Sequence, residues 1–261
     1  MKRYNSLNFA FVLLLSAMVF SCKKIIKVNL NTSSPRYVVE ANITDKPGPY
    51  LVMITKSVNF DQDNVYPTVS GALVIVTDAT TNQADTLKEV TPGNYNTSSI
   101  AGVPGHTYRL YINAAGNVFK ASSTMPMAVT LDSLYTQTSA FGGTHPQLVP
   151  VYTDPATPGN YYHFMEYKND TESDNVIIRN DNLVNGQVNK LPIGGDDLIP
   201  GDSLALYLEC IDSAIYQYYY SLQQTENQSA ATPANPLTNI TGGALGYFSA
   251  HTSSFRSIII Q

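Results

Sequence analysis

Proline followed by glycine recurs five times in this 261-residue chain, at Pro47-Gly48, Pro92-Gly93, Pro104-Gly105, Pro158-Gly159 and Pro200-Gly201. Proline presets φ for the second position of a turn, and glycine accepts the positive φ of the third, so each dipeptide predicts a type II turn. Strand-like chain follows each one: Tyr50 to Lys56, Tyr95 to Thr97, Thr107 to Asn113, Tyr161 to Lys168 and Leu204 to Ile211. A chain reversed this often has little room for long helices, and its composition agrees. It carries 18 Tyr, 15 Pro and 16 Gly but only 13% charged residues, whereas long helices favour Glu, Lys and Ala. The pentapeptide Thr-Pro-Gly-Asn-Tyr occurs at 91–95 and again at 157–161, which suggests two similarly built β domains.

In the first half, Arg36 to Ile43 is rich in β-branched and aromatic residues and reads as the first firm strand. Gly71 to Asp78 is apolar at nearly every position, as expected of a strand buried on both faces or of a sandwich core strand. Further short strands follow at regular spacing up to Ser123, the signature of an antiparallel sandwich. The order Gly71-Ala-x-Val-x-Val-Thr-Asp78, then Gly-x-Tyr, then Gly-x-x-Tyr-x-Leu-x-Ile resembles an immunoglobulin-like or transthyretin-like module. The expected fold is therefore mainly β. A β-sandwich over 36–125 is followed, past Met125-Pro126-Met127, by a second β domain over 126–261. That second part contains one short helix near 213–224, which Asp212 or Ser213 can cap and in which Ile215, Tyr218, Tyr219 and Leu222 share a face. Leu245 to Ser249 and Arg256 to Ile260 read as two separate final strands.

The chain opens with Lys2-Arg3, an uncharged apolar run from Phe9 to Phe20, and then Ser21-Cys22. This pattern is that of a secretory signal peptide, since a bilayer needs about 20 apolar residues and this run is shorter. Val19-Phe20-Ser21-Cys22 resembles a bacterial lipobox, so residues 1–21 are expected to be removed and Cys22 to carry lipid. Residues 22–35 are then a tether, and the partner that Cys22 implies is a membrane. The remaining cysteine, Cys210, alternates with Leu204, Leu206 and Leu208 and reads as a buried small hydrophobe. A net charge of −5 argues against nucleic acid, which calls for a basic surface.

Motifs of chemistry are sparse. Asp170-Thr-Glu172-Ser-Asp174-Asn175 spaces oxygen ligands as calcium loops do, but it lacks the central glycine and the terminal glutamate and reads as a solvated turn. His163 and Glu166 would lie on opposite faces of a strand, so no zinc site is expected, and no cofactor either. A hydrolase would need two or more of His163, Glu166, His251 and nearby acids to converge in one cleft. The glycines of Thr241-Gly-Gly-Ala-Leu-Gly246 point to a tight turn with close backbone packing. Tyrosine crowds the second half, where it serves either helix-on-sheet packing or recognition of a sugar, peptide or protein. Tyr162, Tyr219, Tyr247 and His251 are the candidate ligand-binding residues on that reading.

Three stretches carry a wider resemblance: Val38-Val-Glu-x-Asn-Ile-Thr-Asp45, Asp154-Pro-x-x-Pro-Gly-Asn-Tyr-Tyr162 and Asn235-Pro-Leu-Thr-Asn-Ile-x-Gly-Gly-x-Leu-Gly-Tyr-Phe-Ser-Ala-His251. Together with the lipobox they resemble the domain of unknown function 4249 family of Bacteroidota cell-envelope lipoproteins. The resemblance implies an outer-membrane-associated lipoprotein, often thought of beside TonB-dependent transporters, and it carries over no established catalytic or binding residues. The expected role is a non-catalytic binding or accessory module; a structural or adhesive envelope module is the alternative. Surface-exported lipoproteins of that group tend to carry acids after the cysteine, whereas Lys23-Lys24 are basic here, which leaves the membrane face open.

Overall fold

The computed structural model describes residues 34–59, 62–138, 146–193, 198–227 and 235–261, so the expected signal segment over 1–21 and Cys22 lie outside the described residues. The first strands are β1 (Tyr37–Thr44), β2 (Leu51–Lys56), β3 (Leu73–Asp78), β4 (Gln83–Thr86), β5 (Lys88–Thr91), β6 (Asn94–Asn96), β7 (Thr107–Ala114) and β8 (Asn117–Thr124). There follow β9 (Leu131–Thr138), β10 (Pro146–Thr153), β11 (Tyr161–Lys168), β12 (Thr171–Glu172), β13 (Ile177–Asn180), β14 (Val188–Asn189) and β15 (Ser203–Ile211). The helix α1 (Ser213–Asn227) and the long strand β16 (Leu245–Ile259) close the chain. The protein is mainly β, and among the described residues no helix is long and apolar enough to cross a membrane.

The turns behave as the dipeptides predict at four of five sites. Gly93, Gly105, Gly159 and Gly201 all take positive φ. Gly48 does not; the Gly48–Pro49 peptide that follows it is cis. A second difference is at the C-terminus, where the two expected strands are a single strand of 15 residues. The polar run His251-Thr-Ser-Ser hid the continuity, since an apolar pattern cannot show a strand whose outward face meets a polar chamber. The helix also runs on to Asn227, past the expected end at 224.

One large sheet organises everything. Its order is β12-β11-β15-β16-β1-β2-β6-β5, with β13 also paired to β11. β16 lies at its middle, parallel to β1 on one side and antiparallel to β15 on the other. Side chains alternate across a strand, so the sheet has two chemically distinct faces. On one face Val39, Ala41, Ile43, Phe248 and Ala250 pack against Val74, Val76, Leu110, Ile112 and Phe119 of the β4-β3-β7-β8 sheet. That is the sandwich. Leu73, on the far face of β3, is exposed, so this apolar strand is covered on one side only. Farther along the same face of the large sheet, Tyr162, Phe164, Leu206, Leu208 and Cys210 form a second core with Leu131, Leu148 and Tyr152 from the β14-β10-β9 sheet.

The core changes hands close to Pro126, with Met125 in the first cluster and Val129 in the second. Ile240, Ala244, Phe248 and Ala250 nonetheless return from the end of the chain to complete the first core, and Pro35–Gln261 forms one compact unit. Burying such apolar side chains contributes about 25 cal/mol per Å² removed from water. Three buried tyrosines in the sandwich keep their hydroxyls paired with loop backbone. Tyr108 donates to the Ala101 carbonyl at 2.9 Å and accepts from the Val103 N–H at 2.7 Å; Tyr50 and Tyr95 hold other loops in the same way.

The opposite face of the large sheet, over β11, β15, β16 and β1, is polar and aromatic. α1 lies across it, touching β11, β13 and β16. The helix starts where it does because Asp212 caps it: its Oδ1 accepts from the Ile215 N–H at 2.9 Å. The other carboxylate oxygen accepts from Ser123 Oγ at 2.6 Å, tying the helix start to β8. Ile215 and Tyr219, one turn apart, point down onto the sheet.

Candidate functional site

Sheet register brings the site together. His163 on β11 sits opposite Glu209 on β15, and Glu209 sits opposite Ser253 on β16. Two residues before Ser253, on the same face, is His251; four before that is Tyr247, and Asn42 on the neighbouring β1 is paired with Ser249. His163, Glu209, His251, Tyr247 and Asn42 floor a cavity of about 600 Å³. Tyr219 of α1 walls one side, and the segment Glu172 to Val176 forms another. A cavity of that size holds a small organic molecule.

At its base, one carboxylate is shared by two imidazoles. His163 Nδ1 lies 2.9 Å from Glu209 Oε2, and His251 Nε2 lies 3.2 Å from Glu209 Oε1. Burial opposes the charge on Glu209, but His251 and His163 outweigh it and hold the carboxyl well below the usual carboxylate range. An ionised carboxylate only accepts, so both imidazoles donate to it. His251 is fixed further by Ser249, whose Oγ lies 3.0 Å from Nδ1. The His163 ring stacks on Tyr219, with centroids 4.1 Å apart and planes 10° from parallel. Tyr219 and Tyr247 are joined through their hydroxyls, and Asn42 Nδ2 donates to Tyr247 Oη at 3.3 Å. Burial, together with the neighbouring Tyr247 and Glu209, pushes the Tyr219 phenol well above its ordinary range, so it stays a hydrogen-bond donor. Burial raises Tyr247 as well.

The arrangement offers hydrogen-bonding groups to the chamber. Ser249, His251 and Glu209 form a hydroxyl–imidazole–carboxylate chain, the ingredients of a nucleophilic triad. Ser249 is only 2% exposed, however, and lies outside the cavity lining, behind His251. Among the described residues, no group of three His, Cys, Asp or Glu has the geometry to hold a metal ion.

Of the residues singled out in the sequence, Tyr219, Tyr247 and His251 line this one cavity. Tyr162 does not. It lies on the opposite face of β11, with its ring in the second core at 0% exposure and its hydroxyl donated to Asp154. His163 does converge with His251, through Glu209, while Glu166 is not among the lining residues. Glu172 and Asp174, which the sequence places in a solvated turn, stand at the cavity rim. Cys210 is buried and reduced in the second core, accepting from the Val129 N–H at 3.3 Å. Glu209 escaped sequence reasoning because its partners come from other strands. Its one signal was a charge set within the apolar alternation of Leu204 to Ile211.

A protein of this architecture, a β-sandwich continued into a helix-covered sheet, is matched by the family model of the domain of unknown function DUF4249 over residues 23–257. The chain belongs to that family. No curated protein matches it. Among solved structures, a two-domain fibronectin type-III segment from chicken tenascin is similar at 9% identity and a TM-score of 0.24, covering 69% of this chain and 93% of that one.

Proposed function

We propose that this protein is a non-catalytic binding module of the cell envelope, anchored through lipid on Cys22, that holds a small ligand in the cavity between α1 and the large sheet. The observation that carries the reading is the buried His163–Glu209–His251 cluster opening into a cavity of about 600 Å³. A buried carboxylate with two imidazoles is expensive to desolvate, and an apolar filling would pack as well. Polar groups kept at such a cost beside an open chamber fit ligand recognition. On this reading the outer membrane is the site of anchoring, and the bound ligand is presented to a TonB-dependent transporter for uptake.

Two measurements test it. Cys22→Ala in cells should release the protein from the membrane fraction; retention there would remove the anchor. Purified residues 23–261 should be screened by thermal shift against neutral sugars, short peptides and small amines, beside Ser173→Trp, which obstructs the rim. A shift for at least one class that Ser173→Trp abolishes supports the cavity as the binding site. No shift with any class, or a shift that survives the substitution, overturns it.

A further inference from the structure

We infer that the ligand of this cavity presents a protonated amine, an inference that rests on the binding reading above. Among the described residues, three carboxylates line the chamber, Glu209 in its floor and Glu172 and Asp174 at its mouth, and no lysine or arginine lines it. A cation entering past Glu172 and Asp174 meets favourable charge at the mouth, whereas an anion meets like charge there.

The floor adds an independent pointer. The His163 side chain is 9% exposed, and its Nδ1 is committed to Glu209. Its other ring nitrogen, Nε2, hydrogen-bonds to none of the described residues, although the ring is held flat against Tyr219 and lines the cavity. A neutral imidazole that donates through Nδ1 offers a lone pair at Nε2. The ring is nine-tenths buried and lines the cavity, so in that form its Nε2 can accept from a donor bound there. An ammonium group supplies up to three N–H donors and no acceptor, and it matches the acceptor His163 Nε2 and the rim carboxylates together.

The amine could belong to a free polyamine, a peptide N-terminus or an amino sugar. Three matched pairs of probes separate these sources: putrescine with butane-1,4-diol, trialanine amide with its N-acetyl derivative, and glucosamine with glucose. Calorimetric titration of residues 23–261 should show the charged member of at least one pair binding about tenfold or more tightly than its neutral partner. Glu172→Gln/Asp174→Asn, at exposed positions where folding is not at stake, should weaken that charged probe several-fold and leave the neutral one unchanged. Added salt should weaken it too. Neutral members binding as tightly as charged ones would overturn the amine while leaving a binding cavity intact. So would a double substitution that leaves the affinity of the charged probe unchanged. No binding by any of the six probes overturns the amine; only the wider screen with Ser173→Trp then decides whether the cavity binds at all.

Discussion

Glu209 is the residue on which the site turns. Both of its oxygens accept from buried imidazoles, and its ionised form is favoured in the fold over the unfolded chain. The sign of the resulting pH dependence follows. A carboxyl whose pKa is depressed by folding adds stability above the unfolded value of about 4.3, and that stability drains away as the pH falls below it. Glu209→Gln should therefore cost about 3 kcal/mol at pH 7, as removal of one partner of a buried charged cluster does. Chemical denaturation of the two proteins at pH 7, 5 and 3 checks this: the gap between them should narrow towards pH 3. An equal gap at all three values would mean that Glu209 acts through shape and not charge. The tyrosines divide along similar lines. Tyr50, Tyr95 and Tyr108 spend their hydroxyls on loop backbone, whereas Tyr219 and Tyr247, which line the cavity, pair theirs with each other. A sequence shows an excess of tyrosine but cannot sort it, because the sorting depends on which face of which sheet each ring meets. Tyr162 shows the point: it neighbours His163 in the chain, and the pleat sends it to the opposite side.

Among the elements, β16 makes the strictest demands on its sequence. Gly246 takes a φ of +88°, and a Cβ there would overlap the Val39 carbonyl oxygen on the paired β1. Gly243 has a similar φ of +90° but open space around it. The pair separates two effects that a glycine can serve. Gly243→Ala should cost only the left-handed backbone penalty, about 1 kcal/mol. Gly246→Ala adds a steric conflict with backbone that cannot move aside, for about 3 kcal/mol in all. Urea titrations of the two variants check this, and equal losses would show that β1 and β16 can part slightly without consequence. The glycine-rich stretch announced close backbone packing in the sequence itself, as did the Asp212 cap and the face shared by Ile215 and Tyr219 for the helix. The 15-residue length of β16 was not legible, since Ser249, His251 and Ser253 are polar for the sake of the chamber side of the sheet.

At the scale of the whole molecule, turn chemistry and strand spacing disclosed a mainly β chain with a sandwich at its front. Topology was another matter. Nothing local in Leu245 to Ile259 says that its first half pairs with β1 and its second half with β15, because parallel pairing between distant segments leaves no periodic trace. The consequence can be measured. A fragment of residues 35–125 lacks Ile240, Ala244, Phe248 and Ala250 from its core and has a bare edge at β1. It should show poor amide dispersion by NMR and no cooperative thermal transition, whereas residues 35–261 should show both. A well-dispersed, cooperatively melting fragment would make the sandwich self-sufficient.

The central place of β16 also sets the order in which the chain can be finished. Arg36, at the edge of the first strand, donates to the Gly243 carbonyl across a sequence separation of 207 residues. Contacts of that span are slow to form, because the entropy of closing so long a loop is lost before any pairing repays it. β16 is synthesised long after β1, so the large sheet can close only once that strand has followed. During that interval β1 and β15 each offer an open strand edge to any passing chain. The large sheet is thus committed to a late closure, and any delay before β16 arrives prolongs the exposure of those edges.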